Sequence, residues 1–324
     1  MTDSTATRLR ISALALILAL GLSACGGAEE TAEAPAPAEA PDAPAATSPA
    51  EAEVAAETGP ETGSLEWAVA GDWRPDMQTA RDDARNPVET LSFLGVEPDD
   101  TVVEVWPGGG WYTYILAPYL TEGGGTLIAA GFDPDAFEGD RRAGIETRIA
   151  EYRETFDDPR YAAIEHAAFS NVSGPLAPEG SADVVLTFRN LHNWMEGGYD
   201  DKFFADAYAA LKRGGTLGVV EHRLPSNMEQ DPAATSGYVH EDYVKAAAEA
   251  AGFVFTESSE VNANPADTAD HPFGVWTLPP VSRTEDRDGN TPEGFDPQTY
   301  LDIGESDRMT LKFTKPAGDT PEAE

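Results

Sequence analysis

The sequence predicts an α/β fold: a doubly wound, mostly parallel seven-stranded sheet, with an N-terminal helical cover and a long insert before the last strand. Three observations predict it. Apolar, β-branched runs of strand length alternate with helix-length segments, which is the pattern of a parallel sheet covered on both faces. The first run, residues 101–106, ends in Pro107-Gly108-Gly109-Gly110 and then a helix start. Strand, glycine turn, helix is the opening unit of a nucleotide-binding sheet. The run Ala182–Phe188, ADVVLTF, is apolar enough to be a central strand.

Ahead of the first strand, residues 76–85 and Pro87–Leu94 carry helical spacing, and Pro87 fits a first helical position after an Asn86 cap. Trp67 and Trp73 beside them read as core or lid. Residues 101–106 form strand one and 111–120 its helix. Strand two is 125–131, ending at Phe132-Asp133-Pro134, and 141–156 is an amphipathic helix. Strand three is 162–168, and strand four is followed by a helix at 201–211. The turn Lys212-Arg213-Gly214-Gly215 leads into strand five, 216–221. A helix at 240–251 is closed by Gly252, strand six is 253–261, and the last strand is 309–315. Residues 262–307 are rich in Pro, Gly and Asp without periodicity and read as a lid or docking insert holding His271, Phe273, Trp276 and Tyr300.

Residues 1–25 read as a leader. Arg8 and Arg10 precede an apolar run, 11–22, that is too short and too early for a convincing membrane span. Leu22-Ser23-Ala24-Cys25 resembles the bacterial lipobox, which would make Cys25 a lipidation site; a plain secretory signal with an incidental cysteine is the alternative. Gly26-Gly27, in place of Asp after the cysteine, leans toward the outer membrane. The expected address is therefore the periplasmic face of the cell envelope, by a lipid anchor. With its only cysteine lipidated, the chain keeps no thiol for a disulfide, a nucleophile or a metal. Residues 26–63 are mostly Ala, Pro, Glu and Thr and bury too little to offset ordering entropy, so they read as a tether. The domain is expected over 64–316 and a tail over 317–324. The net charge of −37 opposes contact with nucleic acid or anionic lipid. The expected partners are a small-molecule substrate and the membrane through the anchor alone.

Glycines at 108–110 would let a ligand approach the backbone, and the helix start behind them offers unpaired N–H groups. A tight turn kept for geometry alone is the plainer reading. Glu104 lies near the strand's C-terminal end, placed to accept hydrogen bonds from a ligand or from the turn. The spacing departs from a dinucleotide fingerprint, because Thr113 stands where the third glycine belongs. Neither a phosphate-binding Gly-x-x-x-x-Gly-Lys loop nor a Gly-x-Ser-x-Gly elbow occurs.

Five spaced motifs agree with one family. They are the turn Glu104–Gly110, Asp133 after strand two, Ala167-Ala168-Phe169 after strand three, Asp183–His192 on strand four, and LKRGGTL at 211–217 with Arg213 in place of Pro. Over residues 84–313 the chain resembles class I S-adenosylmethionine-dependent methyltransferases, and more narrowly predicted bacterial methyltransferases with a WPGGGWYT turn. The resemblance implies a Rossmann-like methyltransferase fold, S-adenosylmethionine as cofactor, and methyl transfer from its sulfonium to a small-molecule nucleophile. It implies a cofactor site of Glu104, Trp106, Gly108, Gly109, Gly110, Asp133, Phe169 and Asn190. In that site the glycines cradle the amino-acid end, Asp133 holds the ribose hydroxyls and Phe169 packs on adenine. Trp106 takes the family's first glycine position, where its indole either narrows the pocket or packs under the sheet.

A protic nucleophile also needs a base near the ends of strands four and five. His192 and His222 lie there, with Asn190, Asn193 and Glu221 as orienting partners. His192 alternatively caps the strand and stacks on Trp194, and His222 alternatively pairs with Glu221. His240 reads as the neighbour of a helix cap. The histidines lack metal-ligand spacing, so no metal is expected. An exported address sits apart from the place where S-adenosylmethionine is made. The alternative is a non-catalytic methyltransferase-like envelope lipoprotein that binds a small molecule or a protein partner. Trp106 and the insert filling the space above Gly108–Gly110 would favour that alternative; an open slot from Asp133 to His192 would favour the enzyme.

Overall fold

The computed structural model describes residues 59–318. The leader, Cys25 and most of the tether lie outside the described residues. Seven strands form one sheet: β1 (Thr101–Val105), β2 (Thr126–Phe132), β3 (Ile164–Phe169), β4 (Ala182–Phe188), β5 (Leu211–His222), β6 (Val254–Ser259) and, after a short β7 (Pro272–Val275) outside it, β8 (Arg308–Thr314). Their order is β3-β2-β1-β4-β5-β8-β6. The first five run parallel, and β8 runs antiparallel to both β5 and β6. This is the seven-stranded, Rossmann-like methyltransferase fold. Because strand order reverses between β1 and β4, the crevice at their carboxyl ends is where such a sheet binds ligands.

Helices cover both faces. The N-terminal cover is α1 (Leu65–Val69), α2 (Asp76–Thr79), α3 (Asp82–Arg85) and α4 (Pro87–Leu94), and α5 (Thr113–Gly123) follows the glycine turn. Next come α6 (Gly139–Thr155), α7 (Leu191–Gly197), α8 (Asp200–Ala210), α9 (Glu241–Ala250) and α10 (Pro297–Ile303). Alternation along β1 sets the two cores. Val102 packs with Leu94, Ile115 and Leu116 on the α4–α5 side. Val103 and Val105 pack with Trp194, Phe203 and Val219 on the α7–α8 side. No helix among the described residues is long and apolar enough to cross a membrane.

Several elements differ from the sequence expectations. The cover segment 76–85 breaks into two short helices, because Arg81 leaves helical geometry between them. The helix after the glycine turn begins at Thr113, since Trp111 and Tyr112 belong to the turn. Lys212–Gly215 is part of a bulged β5 rather than a free turn: Gly214 N–H donates to Lys315 O and Lys315 N–H to Gly215 O. Leu191 and His192, expected as the end of the strand-four motif, instead open α7. The insert is not structureless, for it carries β7 and α10.

Candidate functional site

The carboxyl ends of β1 and β4 meet in an unusual way. Trp106 and Arg189, each one residue beyond its strand, both adopt left-handed backbone with φ of 54° and 62°. Bulky residues there are strained and persist only when held. Trp106 N–H donates to Ala130 O at 2.8 Å, and Arg189 N–H donates to Val220 O at 2.7 Å. The Asn190 amide adds bonds to Val105 O and Trp106 O at 3.1 and 3.2 Å. Asn190 thus pins the two strand ends together.

Beyond Trp106 the glycine turn is open. Gly108 has a φ of 61°, and a Cβ at Gly108 or Gly109 would meet nothing within 4 Å. Gly110 differs: a Cβ there would strike Phe156 at 2.4 Å, so this glycine is required for packing. Pro107, Gly108 and Gly109 border two cavities at once. The larger, about 1360 Å³, lies between α6 and the ends of β2 and β3, against Gly131, Phe132, Ala167 and Ala168. The smaller, about 390 Å³, lies toward β4, β5 and the insert, and its lining includes His192, Asn193, His222, Trp276, Pro279 and Pro280.

The smaller cavity brings both predicted bases together. His192 and His222 have ring centroids 5.4 Å apart. Buried Glu221 organises them: one oxygen accepts from Leu191 N–H at 2.7 Å, capping α7, and the other lies 3.0 Å from His192 Nδ1 and accepts His222 N–H at 2.8 Å. A carboxylate there fixes the proton on Nδ1 and leaves Nε2 as the acceptor. Asn193 Nδ2 lies 3.0 Å from that Nε2. His222 bonds through Nδ1 to Ser306. Burial, and after it His192 and the guanidinium groups of Arg189, Arg308 and Arg85, hold His222 well below the ordinary histidine value, so it stays neutral. His192, Glu221 and His222 offer three ligand atoms within 4.8 Å of one another, the one such group among the described residues. Glu221 is saturated by N–H donors, and the arginines around His222 oppose a cation, which argues against a metal there.

The remaining sequence-predicted residues are placed differently. Phe169 is fully buried, T-shaped against Trp194 at 5.1 Å, so it is core and cannot pack on adenine. Trp106 lies across the strand ends: its ring is 4.5 Å from Phe132, and its Nε1–H donates to Phe169 O at 2.8 Å. Asp133 borders neither cavity. It caps the turn at Asp135 N–H and accepts the Ser170 hydroxyl at 2.8 Å. Glu104 is buried beneath the turn, accepting the Thr113 hydroxyl at 2.7 Å. Burial pushes its carboxyl up to about 7. His240 stands at the N-cap position of α9, and His271 bonds Asp267 at 2.8 Å inside the insert. Asp133 is not among the residues that line either cavity, although its neighbours Phe132 and Pro134 line the larger one, and the insert walls the smaller cavity without filling it.

Sequence reasoning missed the cavity's charge. Arg81 and Arg85 from the cover, Arg189 after β4 and Glu305 from the insert all border it, and Arg308 at the start of β8 reaches Glu305 at 3.0 Å. Arg189 stood inside the quoted strand-four motif; a basic residue there, in so acidic a chain, was the available signal. Arg85 and Glu305 are paired across 220 residues, which no local pattern reveals.

No protein-family model matches the chain, and no curated protein matches it. Among solved structures, a SAM-dependent methyltransferase from Aquifex aeolicus is similar at 18% identity and TM-score 0.45, over 56% of this chain and 87% of its own. A 1,6-didemethyltoxoflavin-N1-methyltransferase from Burkholderia thailandensis, with bound 1,6-didemethyltoxoflavin and S-adenosylhomocysteine, is similar at 15% identity and TM-score 0.42, over 74% of this chain and 81% of its own. The [4+2]-cyclase SpnF is similar at 15% identity and TM-score 0.46, over 77% and 86%. Likeness at this distance leaves activity open; the class stated here, a methyltransferase-like α/β fold, rests on this chain's own strand order and connectivity.

Proposed function

We propose that the chain is an S-adenosylmethionine-dependent methyltransferase acting on a small molecule. The observation that carries this reading is the glycine turn, open at Gly108 and Gly109 and shared by two cavities. Gly131, Ala167 and Ala168 would hold the nucleoside end in the larger cavity, in place of Asp133 and Phe169, and Gly108–Gly109 would pass the amino-acid end along the backbone. Bound there, the cofactor supplies an activated methyl group on a cationic sulfur. This chain's residues align the acceptor and keep water out. His192, oriented by Glu221, takes the acceptor's proton at Nε2 once the Asn193 amide yields that atom.

Gly109→Phe tests the reading. A Cβ at Gly109 meets nothing within 4 Å and the position borders both cavities, so melting should change little. Calorimetric titration should show micromolar S-adenosylmethionine binding in wild type and at least a tenfold loss in the variant. A folded wild type that binds neither the cofactor nor its homocysteine product would sink the proposal.

A second reading has its own observation. The Trp106 indole, bonded to Phe169 O across the end of the sheet, takes up room beside the glycine turn at the edge of the smaller cavity. That favours a binding protein built on the fold. For either reading we propose lipid anchoring through Cys25 at the periplasmic face of the envelope, checked by palmitate labelling of wild type and Cys25→Ala.

A further inference from the structure

The smaller cavity is walled by guanidinium groups in a chain of net charge −37. Arg81, Arg85, Arg189 and Arg308 converge on one carboxylate, Glu305. Arg81 Nε reaches it at 2.6 Å, Arg85 Nε at 3.2 Å, Arg308 Nη1 at 3.0 Å and Arg189 Nη1 at 3.7 Å. Four cations share one anion, an excess of three positive charges. Arg85 is 1% exposed, and its Nη1 and Nη2 have no hydrogen-bond partner. Its guanidinium lies 4.6 Å over the Trp111 ring, which fixes the plane of the fork. Burial, then Arg189 beside it, penalise the charge on Arg85. A guanidinium does not give up its proton near neutral pH, so this penalty becomes a demand for an anion.

The geometry points to an anion subsite in the smaller cavity, formed by Arg85 Nη1 and Nη2 with Arg189, which takes the carboxylate or phosphate of an acidic small-molecule acceptor. The free pair of N–H ends on Arg85 matches the two oxygens of such a group. Trp276, Pro279 and Pro280, which line the same cavity, suit the apolar body that carries it. The carboxylate of the cofactor's amino-acid end is the competing source. It arrives with an ammonium and near a sulfonium, so it neutralises nothing net, whereas an acidic acceptor offsets both the arginines and the sulfonium. The assignment to an acceptor rests on the methyl-transfer reading; the anion site itself does not.

The test uses the full chain with inorganic phosphate and with succinate, against chloride at matched ionic strength. Melting temperature and tryptophan fluorescence are the readouts. Either probe should bind saturably at millimolar concentration or tighter, and Arg189→Gln should weaken it at least tenfold. Arg189 makes no side-chain hydrogen bond and is one of four cations around Glu305, so three remain to hold that carboxylate in the variant; Arg85→Lys, which keeps the charge and loses the fork, should also weaken binding, because the anion's two oxygens lose their paired donors. No saturable effect beyond chloride overturns the anion site, whatever the cofactor does. Anion binding sensitive to Arg189→Gln, in a protein that ignores S-adenosylmethionine, keeps the site and removes methyl transfer. Where both bind, phosphate or succinate that leaves cofactor affinity unchanged or raised supports the acidic acceptor. Mutual displacement overturns that assignment and gives the arginines to the cofactor's carboxylate.

Discussion

Glu305 and Asp307 stand two residues apart on one segment, and both face arginines, yet their surroundings are opposite. Asp307 serves one guanidinium. Arg223 spreads its donors over two carboxylates, reaching Asp307 at 2.9 Å through Nε and Nη2, and Glu260 at 2.8 and 2.7 Å through Nη1 and Nη2. Hydrogen bonds donated to Glu260 and then Asp307 push Arg223 up, while burial and Arg189 push Arg85 down. Glu305 serves four guanidiniums and leaves the ends of Arg85 bare. The difference separates architecture from site. The Asp307 cluster is complete within the chain and ties the base of the insert to β5 and β6. The Glu305 cluster is incomplete, and it borders a cavity.

The largest expected effect breaks the second half of that comparison. Removing one partner of a buried ion pair costs about 3–5 kcal/mol, so Glu305→Gln should lose roughly that in denaturant unfolding. Phosphate should restore part of the loss by supplying the missing anion. A loss below about 1 kcal/mol would show that the arginines do not depend on Glu305. The pH dependence has a fixed sign. Arg85 and the other guanidiniums hold the Glu305 carboxyl below its ordinary 4.5 despite burial. Its contribution is therefore complete above about pH 4.5 and fades as pH falls through the lower folded value.

A third buried carboxylate sharpens the contrast, because no cation attends it. Glu104 is pushed up from 4.5 to about 7 by burial, eased by the Thr113 hydroxyl. The folded state binds this proton more tightly than the unfolded state, so stability falls as pH rises from about 4.5 to 7. Glu104→Gln removes the effect. It should stabilise the protein by about 3 kcal/mol above pH 7, and the difference should vanish below pH 4.5. An unchanged pH profile would mean that Glu104 ionises freely in the fold.

Sheet and turn were legible in the sequence because their signals are local. Strand periods in Thr101–Val105 and Ala182–Phe188, and the run of glycines, each follow from a few adjacent residues. His192 and His222 were also legible, since topology alone puts them at neighbouring strand ends. Side-chain direction was not. Phe169 and Asp133 sit at the expected strand ends, yet Phe169 faces the core against Trp194 and Asp133 faces the Ser170 turn. The arginine cluster was least legible: its members come from the cover, from β4, from β8 and from the insert, and only folding adds their charges together.

The smallest effect tests the complete half of the comparison. Asp307→Asn takes two charge-assisted bonds from Arg223 but leaves Glu260 in place, and the asparagine oxygen still accepts one. Charge-assisted bonds contribute about 1.5–3 kcal/mol, and partial retention puts the expected loss near 1.5 kcal/mol. Its response to phosphate should match wild type, because Arg223 is not starved of acceptors. The variant therefore controls for Glu305→Gln, since both remove one negative charge from the same segment. A phosphate-dependent rescue confined to Glu305→Gln places the unmet charge at the cavity. Equal rescue in both variants would mean only that phosphate screens an acidic chain, and the distinction between the two clusters would collapse.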